Sequence, residues 1–391
     1  MRGGYGIYYQ VPNVNYFADN RPGNGGATGV LANPGGIFPV YTLSNQSPIT
    51  IQNDVPIFGS SAFPSGPFGA FSVSQHFITG YVQNDNLNMQ YQINPATVLE
   101  VGYVGSLSRH LPATLDINQI PLGRTSNTAR PYYNQFPNLT AINEVQSVAN
   151  AYYNGAIVSL RTSSYHGFSA KLNYTYGHSR DDLSSIRGVI PQNSYNLRGD
   201  YGNSDFDIRH SFSGFIGYKV PSPARHKLLL GGWPLNSLLT FYSGTRFTVY
   251  AGKGTSGTRE NKDRAEVVGD PFANVPPDSE PNYAYYFNPV ASQLPVQGAY
   301  ANQTRNEFYG PPTYQVDFSV FKNTRITERF TTQLRLEMFN IFNTRDLAPP
   351  VNSFSSSDLG RVTSTLGVYS GGPGIGTGEP RNIQLALKLI F

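Results

Sequence analysis

Polar and apolar residues alternate along much of this chain with a period of two, the spacing of a β-strand whose two faces meet different surroundings. From Gly80 to Ile93 the odd positions include Tyr81, Leu87, Met89, Tyr91 and Ile93, while Asn84, Asn86, Asn88, Gln90 and Gln92 fill the even ones. Phe168, Ala170, Leu172, Tyr174 and Tyr176 alternate with Ser169, Lys171, Asn173, Thr175 and Gly177. Tyr314, Val316, Phe318 and Val320 alternate with Gln315, Asp317 and Ser319, and Phe330, Thr332, Leu334, Leu336 and Met338 with Thr331, Gln333, Arg335 and Glu337. The last eleven residues set Ile383, Leu385, Leu387, Leu389 and Phe391 against Gln384, Ala386 and Lys388. Weaker alternation covers Gly3–Gln10, Thr97–Ser106, Tyr153–Ser163, Arg209–Val220 and Gly231–Gly244, which brings the prediction to ten strands of 8 to 14 residues. About 9–11 residues carry a tilted strand across a bilayer.

Alternation alone fits a soluble sandwich, with the apolar face inward, as well as a membrane barrel, with the apolar face in lipid. The connections separate the two. In chain order they contain 69, 3, 46, 4, 30, 10, 68, 5 and 39 residues, so long and short alternate without exception. A sandwich has no reason to gather every long loop at one end. An outer-membrane barrel has short periplasmic turns and long extracellular loops. The fold class expected is therefore all-β, an antiparallel transmembrane β-barrel domain over residues 1–391.

Charge placement follows the same register. Glu100, Arg161, Lys171, Lys219, Asp317, Arg335, Glu337 and Lys388 all fall on the polar register and are expected to face the lumen. A lipid-facing Arg or Lys at mid-membrane costs about 2–4 kcal/mol, so the apolar register is expected to exclude charge. Tyr8, Tyr9, Tyr103, Tyr153, Tyr176, Tyr218 and Phe241, near strand ends, suit interfacial aromatic girdles, although aromatics are also simply good strand formers.

Composition narrows the remaining classes. The 391 residues include 40 Gly, 27 Tyr and 24 Phe but no Cys, which removes disulfides, thiol nucleophiles and Cys-ligated metals. Charged residues are 13 %, about half the usual share for a soluble domain. The net charge of +4 comes without any Lys/Arg run, so nucleic acid is not an expected partner. The most apolar stretch, Leu228 to Leu239, contains Gly231, Gly232, Pro234 and Asn236 and does not read as a membrane helix. Met1-Arg-Gly-Gly-Tyr-Gly-Ile-Tyr-Tyr9 has no signal-peptide h-region and reads as a strand already under way.

Several stretches together carry a family resemblance: Arg2-Gly-Gly-Tyr-Gly-Ile-Tyr-Tyr9, Leu99-Glu-Val-Gly-Tyr-Val-Gly-Ser106, Gly167-Phe-Ser-Ala-Lys-Leu-Asn-Tyr-Thr-Tyr-Gly177, Asp205-Phe-Asp-Ile-Arg-His210, Gly231-Gly-Trp-Pro-Leu-Asn236 and Arg335-Leu-Glu-Met-Phe-Asn-Ile-Phe-Asn343, with the terminal Phe391. The chain resembles the C-terminal barrel portion of TonB-dependent outer-membrane transporters, specifically the Oar-like receptors. That resemblance implies a barrel of about 22 strands around an N-terminal plug, in the outer membrane of a Gram-negative bacterium, driven by the inner-membrane TonB complex. With about ten strands and neither plug nor signal peptide, the chain is expected to be the C-terminal part of such a receptor, touching TonB only through the missing N-terminal part. The expected partners are outer-membrane lipid, the barrel assembly machinery and an unknown bulky solute. The alternatives are a self-contained ten-strand outer-membrane adhesin or rim-site hydrolase, and a secreted carbohydrate-binding β-protein.

No catalytic, cofactor or metal site is expected. The six histidines (His76, His110, His166, His178, His210 and His226) make no HExxH or His-x₃-His pair. His178, Asp181 and Asp182 at one end of a loop, and Asp207 and His210 at the other, could in principle activate water, but bracing of strand ends is the favoured reading. Asp181, Asp182, Asp200, Asp205 and Asp207 match no calcium loop and are expected to be solvated. The glycine-rich stretches at 23–26 and 371–378 carry no phosphate-loop signature, and Gly59-Ser60-Ser61 makes no nucleophile elbow. The loop aromatics Tyr132, Tyr133, Tyr283, Tyr285, Tyr286, Phe287 and Tyr309 suit either ligand stacking or packing on one another, the second being favoured. Leu387, Leu389 and the final Phe391 resemble the assembly signal of outer-membrane barrels. Deleting Phe391 from the intact polypeptide is expected to lower its level in the outer membrane; unchanged assembly, read by membrane fractionation, overturns that role.

Overall fold

The structure, a computed structural model, describes residues 1–11, 49–52, 55–58, 67–185, 190–221, 231–277, 284–366 and 380–391. Its frame is a meander of ten antiparallel strands: β1 (Arg2–Tyr9), β2 (Tyr81–Asn94), β3 (Thr97–Asp116), β4 (Leu139–Tyr165), β5 (Phe168–Asp181), β6 (His210–Lys219), β7 (Pro234–Tyr242), β8 (Thr313–Arg325), β9 (Thr331–Phe339) and β10 (Asn382–Ile390). Each strand pairs with the next in chain order, and among the described residues β1 and β10 are each paired on one side only. All ten strands expected from alternation are present. The stretches at 23–26, 371–378 and 59–61, with Tyr283 and His226, lie outside the described residues.

Long and short connections fall at opposite ends of the sheet. β2–β3, β4–β5 and β8–β9 are joined by residues 95–96, 166–167 and 326–330, whereas 117–138, 182–209 and 243–312 stand at the other end. The tightest turn shows why short turns form where they do. His166 and Gly167 have φ of 49° and 82°, the paired left-handed positions of a type I′ hairpin, and a Cβ on Gly167 would lie 2.9 Å from the Lys219 carbonyl.

Register carries the two faces across the sheet. Gln90, Glu100, Ser159, Asn173, Ser213, Thr240 and Gln315 are successive partners from β2 to β8 and form one polar row. The neighbouring row runs Tyr91, Leu99, Leu160, Leu172, Gly214, Leu239 and Val316 on the opposite face. Because side chains alternate strictly, one slip of register would place a whole strand's amides in the apolar face. No helix of the described residues is long and apolar enough to cross a membrane, so any crossing is made by these strands.

Two charges depart from the expected exclusion. Asp85 pairs with Tyr5 and Gly105 and so lies on the apolar face, ten residues from the turn after Asn94 and close to Tyr103. Lys322 is also on that face, at the short-turn end. It is buried there, its Nζ donating to the Gly231 carbonyl at 2.9 Å and lying 5.1 Å from the Trp233 ring centre. Lys322 sits at a strand end, where its head reaches a carbonyl and the mid-membrane cost does not apply, whereas Asp85, level with Gly105, is a true exception to the expected exclusion. The girdle expectation also needs correcting. Tyr103, Tyr176, Tyr218 and Phe241 are on the apolar face, but Tyr8 pairs with Val82 and Tyr153 with Ser106 and Ser179, on the polar face.

Those two tyrosines fill the gaps left by glycines. The Tyr153 ring lies between Gly155 and Gly177: a Cβ at either would come within 2.6 and 2.9 Å of its hydroxyl. Tyr8 covers Gly6 in the same way. An aromatic laid over a strand glycine protects its ladder and fixes register.

β3 and β4 are much longer than their alternation suggested, at 20 and 27 residues. At ~3.3 Å per residue and ~45° tilt β4 rises roughly 60 Å, twice the ~30 Å hydrocarbon thickness. The β3–β4 hairpin therefore stands out of the membrane beyond an irregularity between Ser108 and Leu111. The two clusters of buried apolar residues are also outside the wall. One cluster (Phe247, Val249, Ala265, Phe287, Phe308, Leu359) joins the 243–312 and 340–381 connections, and a smaller one (Ala113, Leu115, Ala149, Leu183) lies on the projecting hairpin.

Filling the space under Tyr153 tests the glycine–tyrosine interlock. Gly155→Val is expected to cost about 1–3 kcal/mol by overpacking and to reduce the heat-modifiable, assembled fraction on a gel. Adding Tyr153→Ala is expected to restore part of it; no restoration means the ring is not what the new side chain meets.

Candidate functional site

The polar face and the loop layer above it hold most of the chain's charge. The pairings place Glu100, Arg161, Lys171, Lys219, Asp317, Arg335, Glu337 and Lys388 on one face: Glu100 opposite Ser159, Arg161 opposite Lys171, Asp317 opposite Leu238, Arg335 opposite Phe321 and Lys388 opposite Gln333. Neighbours on this face bond to each other. Gln90 donates to Glu100 at 2.9 Å, Arg335 to Gln333 at 3.1 Å, and Arg335 also reaches Glu337 at 3.4 Å. These contacts brace the face without closing it, since the pairs are partly exposed and weak in water.

Above the wall, four of the aspartates expected to be solvated are instead buried. Asp181, Asp200 and Asp207 are in ion pairs, and Asp182 accepts from the Asn150 backbone N–H and side-chain amide at 2.8 and 3.0 Å. Asp205 is exposed as expected. Asp207 is 1 % exposed; one carboxylate oxygen accepts from the Ser179 backbone N–H at 2.8 Å, and the other takes Arg209 and Arg246, each at 3.2 Å. Arg305 is the hub between loops. Its guanidinium pairs with Asp181, reaches Asp205 at 3.2 Å and Ser184 at 3.0 Å, and donates to the Asp200 and Asp181 carbonyls at 2.9 and 2.8 Å. Arg264 pairs with Asp200, and burial beside Arg305 pulls its pKa down to about 10. Five donors in a fixed fork let one arginine hold two loops together.

A second clasp ties the tip of the β3–β4 hairpin to the 243–312 loop. Asp116 is fully buried; it accepts from the Asn118 and Ile142 N–H groups at 2.8 Å each and lies 3.5 Å from Arg130. Glu260 hydrogen-bonds to this carboxylate, and burial together with the bond and the Asp116 charge pushes its pKa up to about 8.

The rim acid–histidine pair does not form a catalytic couple. Asp207 is taken up by arginines, whereas His210 Nδ1 bonds the Tyr174 hydroxyl at 2.7 Å and His178 bonds Asn203 at 2.9 Å. Among the described residues no cluster of acids and histidines has the make-up of a metal site. The loop aromatics pack internally in part: Phe287 is buried 5.6 Å from Phe247, and Tyr309 and Tyr285 lie under Arg246 and Arg361 at 3.3 and 4.8 Å. Where the loops meet the polar face, Phe206 and Ile208 project beside a cleft of about 500 Å³ that includes Ser106, Tyr153, Thr175 and Ser211. Reading the residues one at a time missed the arginines. The signal available is Asp205-Phe-Asp-Ile-Arg-His210, whose acids and bases alternate with apolar residues across the boundary between the loop and the strand expected from Arg209.

A two-faced antiparallel meander, apolar on one side and charged on the other, with its buried core displaced into the loops at one end, is the wall of a transmembrane β-barrel. The chain belongs to the outer membrane beta barrel domain family, whose pattern matches residues 1–384, and its place is the outer membrane. No curated protein matches it by sequence. Solved structures with a similar fold include the outer membrane transporter YddB from Escherichia coli (11 % identity, TM-score 0.43, covering 84 % of this chain and 34 % of that one). Others are the ferripyoverdine receptor of the outer membrane of Pseudomonas aeruginosa (11 %, 0.38, 80 % and 27 %) and the FrpB iron transporter from Neisseria meningitidis (11 %, 0.36, 82 % and 33 %). The chain spans about a third of the length of these proteins.

The Asp116–Glu260 clasp predicts a pH response. A carboxyl whose folded pKa is raised binds a proton that the open loop releases, so its contribution is complete below the ordinary value of 4.5 and is lost as pH rises to about 8. Limited proteolysis of the 243–312 loop is expected to accelerate as pH rises from 4.5 to about 8, and Glu260→Gln to flatten that rise. A profile identical in the variant overturns the assignment.

Proposed function

We propose that this chain is a wall segment of an outer-membrane receptor of the TonB-dependent, Oar-like type, its polar face lining the lumen and its loop layer meeting a bulky solute outside the cell. The observation that carries this reading is the continuity of a charged strand face with a pre-folded layer of loops gathered at one end. Such a layer, held by Arg305 and Arg264, offers a fixed surface to a solute, and the cleft beside Phe206 and Ile208 leads from that layer onto the polar face.

The open sheet supports a larger ring. In hydrocarbon every backbone donor and acceptor must be paired, so the edges of β1 and β10 that are unpaired among the described residues call for further strands of the same barrel. TonB would act on a plug carried by that remainder. Leu387, Leu389 and Phe391, on and just beyond β10, are the residues offered to the barrel assembly machinery. The chemistry assigned is passage of a solute, with no enzymatic step.

Deleting the gene is expected to abolish energy-dependent removal of at least one large solute from the medium, and an uncoupler to do the same to the wild type. Mass spectrometry of spent medium reads both. Identical depletion profiles with and without the gene remove the transport reading.

A further inference from the structure

The apolar face changes character toward the long-loop end, and on both β3 and β5, which flank β4, it passes from leucine through tyrosine and ends in arginine. Along β5 it reads Leu172, Tyr174, Tyr176, His178 and Arg180; along β3 it reads Leu99, Val101, Tyr103, Gly105, Leu107 and Arg109. Register confirms the face: Arg109 pairs with Tyr81 and Arg180 with Tyr152, both on the side of the leucine row. Each arginine stands twelve residues past its strand's first residue, Thr97 or Phe168. At ~3.3 Å per residue and ~45° tilt that is roughly 28 Å, the far boundary of the hydrocarbon.

These two arginines are unlike those of the loop layer. Arg130, Arg209, Arg246, Arg264 and Arg305 each hold an aspartate. Among the described residues, neither Arg109 nor Arg180 has a carboxylate partner. Arg109 donates to Asn150 at 3.1 Å and to the Tyr152 hydroxyl, and its guanidinium lies 4.9 Å from the Tyr152 ring centre. Arg180 Nε lies 3.2 Å from His178 Nε2 and its guanidinium 5.8 Å from the Tyr201 ring centre. Tyr152 and Tyr201 meet edge to face at 6.0 Å, so the two cations flank one aromatic pair. Tyr9 and Tyr81 continue the belt onto β1 and β2 with rings 6.1 Å apart.

We propose that this outward-facing belt binds the phosphorylated glycolipid headgroup of the outer leaflet, with Arg109 and Arg180 contacting phosphate and the tyrosines packing against the sugar and acyl boundary. The height matches a headgroup, the charge matches a phosphate, and arginine forks suit phosphate oxygens. Amphipathic tyrosines belong where one end of the ring is apolar and the other wet. The assignment rests on the reading that the long loops are extracellular.

The test uses the protein extracted from its own outer membrane with its lipids. Native mass spectrometry in detergent reads retention of bisphosphorylated lipid A. Wild type is expected to retain it, and Arg109→Gln with Arg180→Gln to reduce retention at least tenfold while heat-modifiable migration persists. If the glutamine pair does not assemble, Arg109→Gln and Arg180→Gln singly, with the charge-keeping lysine pair, are read in the same assay. Undiminished retention in the neutralised variants overturns the proposal, as does equal retention of dephosphorylated lipid A. Displacement by equimolar inorganic phosphate also overturns it, by making the site one for a free anion. Because the chain has no cysteine, Val296→Cys and Glu328→Cys separately report sidedness with an impermeant maleimide on intact cells. Failure to label Val296→Cys overturns the extracellular reading, whereas lost lipid specificity with Val296→Cys labelled overturns the belt alone.

Discussion

In hydrocarbon no water competes for a backbone amide, and an unpaired N–H or C=O costs several kcal/mol. That constraint accounts for the plan of this protein. It demands strands paired without interruption, and the chain meets it by the shortest route, each strand lying beside its predecessor from β1 to β10. Once pairing is fixed, the period of two decides everything on the faces. A row such as Gln90 to Gln315 is polar from strand to strand because each residue in it has the same parity relative to its partner. The glycine–tyrosine interlocks around Tyr153 serve the same end, since a strand that slips beneath the ring loses the space the glycines provide.

A wall that faces lipid on one side and a polar interior on the other has no room for an ordinary core, and the buried apolar clusters accordingly sit in the loops. Their packing is supplemented by charge. Burying Asp207 or Arg305 singly would be strongly unfavourable, and the structure avoids this by engaging each with several partners at once. Such a network is specific in geometry: Arg305 can satisfy Asp181, Ser184 and Asp205 only when the 182–209 and 243–312 connections hold one relative position. The loop layer is thereby a shaped surface.

The strands were legible because their information is local. Leu172 and Lys171 reveal opposite faces from their positions alone, and the loop lengths add which end is which. The loop layer was not legible, because Asp181 and Arg305 are 124 residues apart and nothing in either neighbourhood names the other. Counted singly, Asp181, Asp200 and Asp207 look like solvated loop residues; only the fold supplies their arginines. The length of β4 was missed for a related reason. Past Tyr153 the alternation fades because the hairpin has left the membrane, and its faces no longer divide lipid from water. Lys322 marks the limit of the parity argument itself: register assigns a face, but depth decides what that face touches.

Depth also distinguishes the arginines. A guanidinium placed among loops meets a carboxylate, because the layer is closed and each buried charge needs its opposite. One placed on the outer side of the wall, a tyrosine's height above the leucines, needs no protein anion if the surrounding leaflet supplies one. Arg109 and Arg180, held by Asn150, Tyr152 and His178 without a carboxylate among the described residues, have that arrangement. These partners fix where the fork points, and no carboxylate among the described residues compensates its charge. A soluble fold would cancel that charge with an aspartate or leave the side chain mobile in water; holding it rigid and uncancelled at a lipid boundary is consistent with an anion that arrives from the membrane.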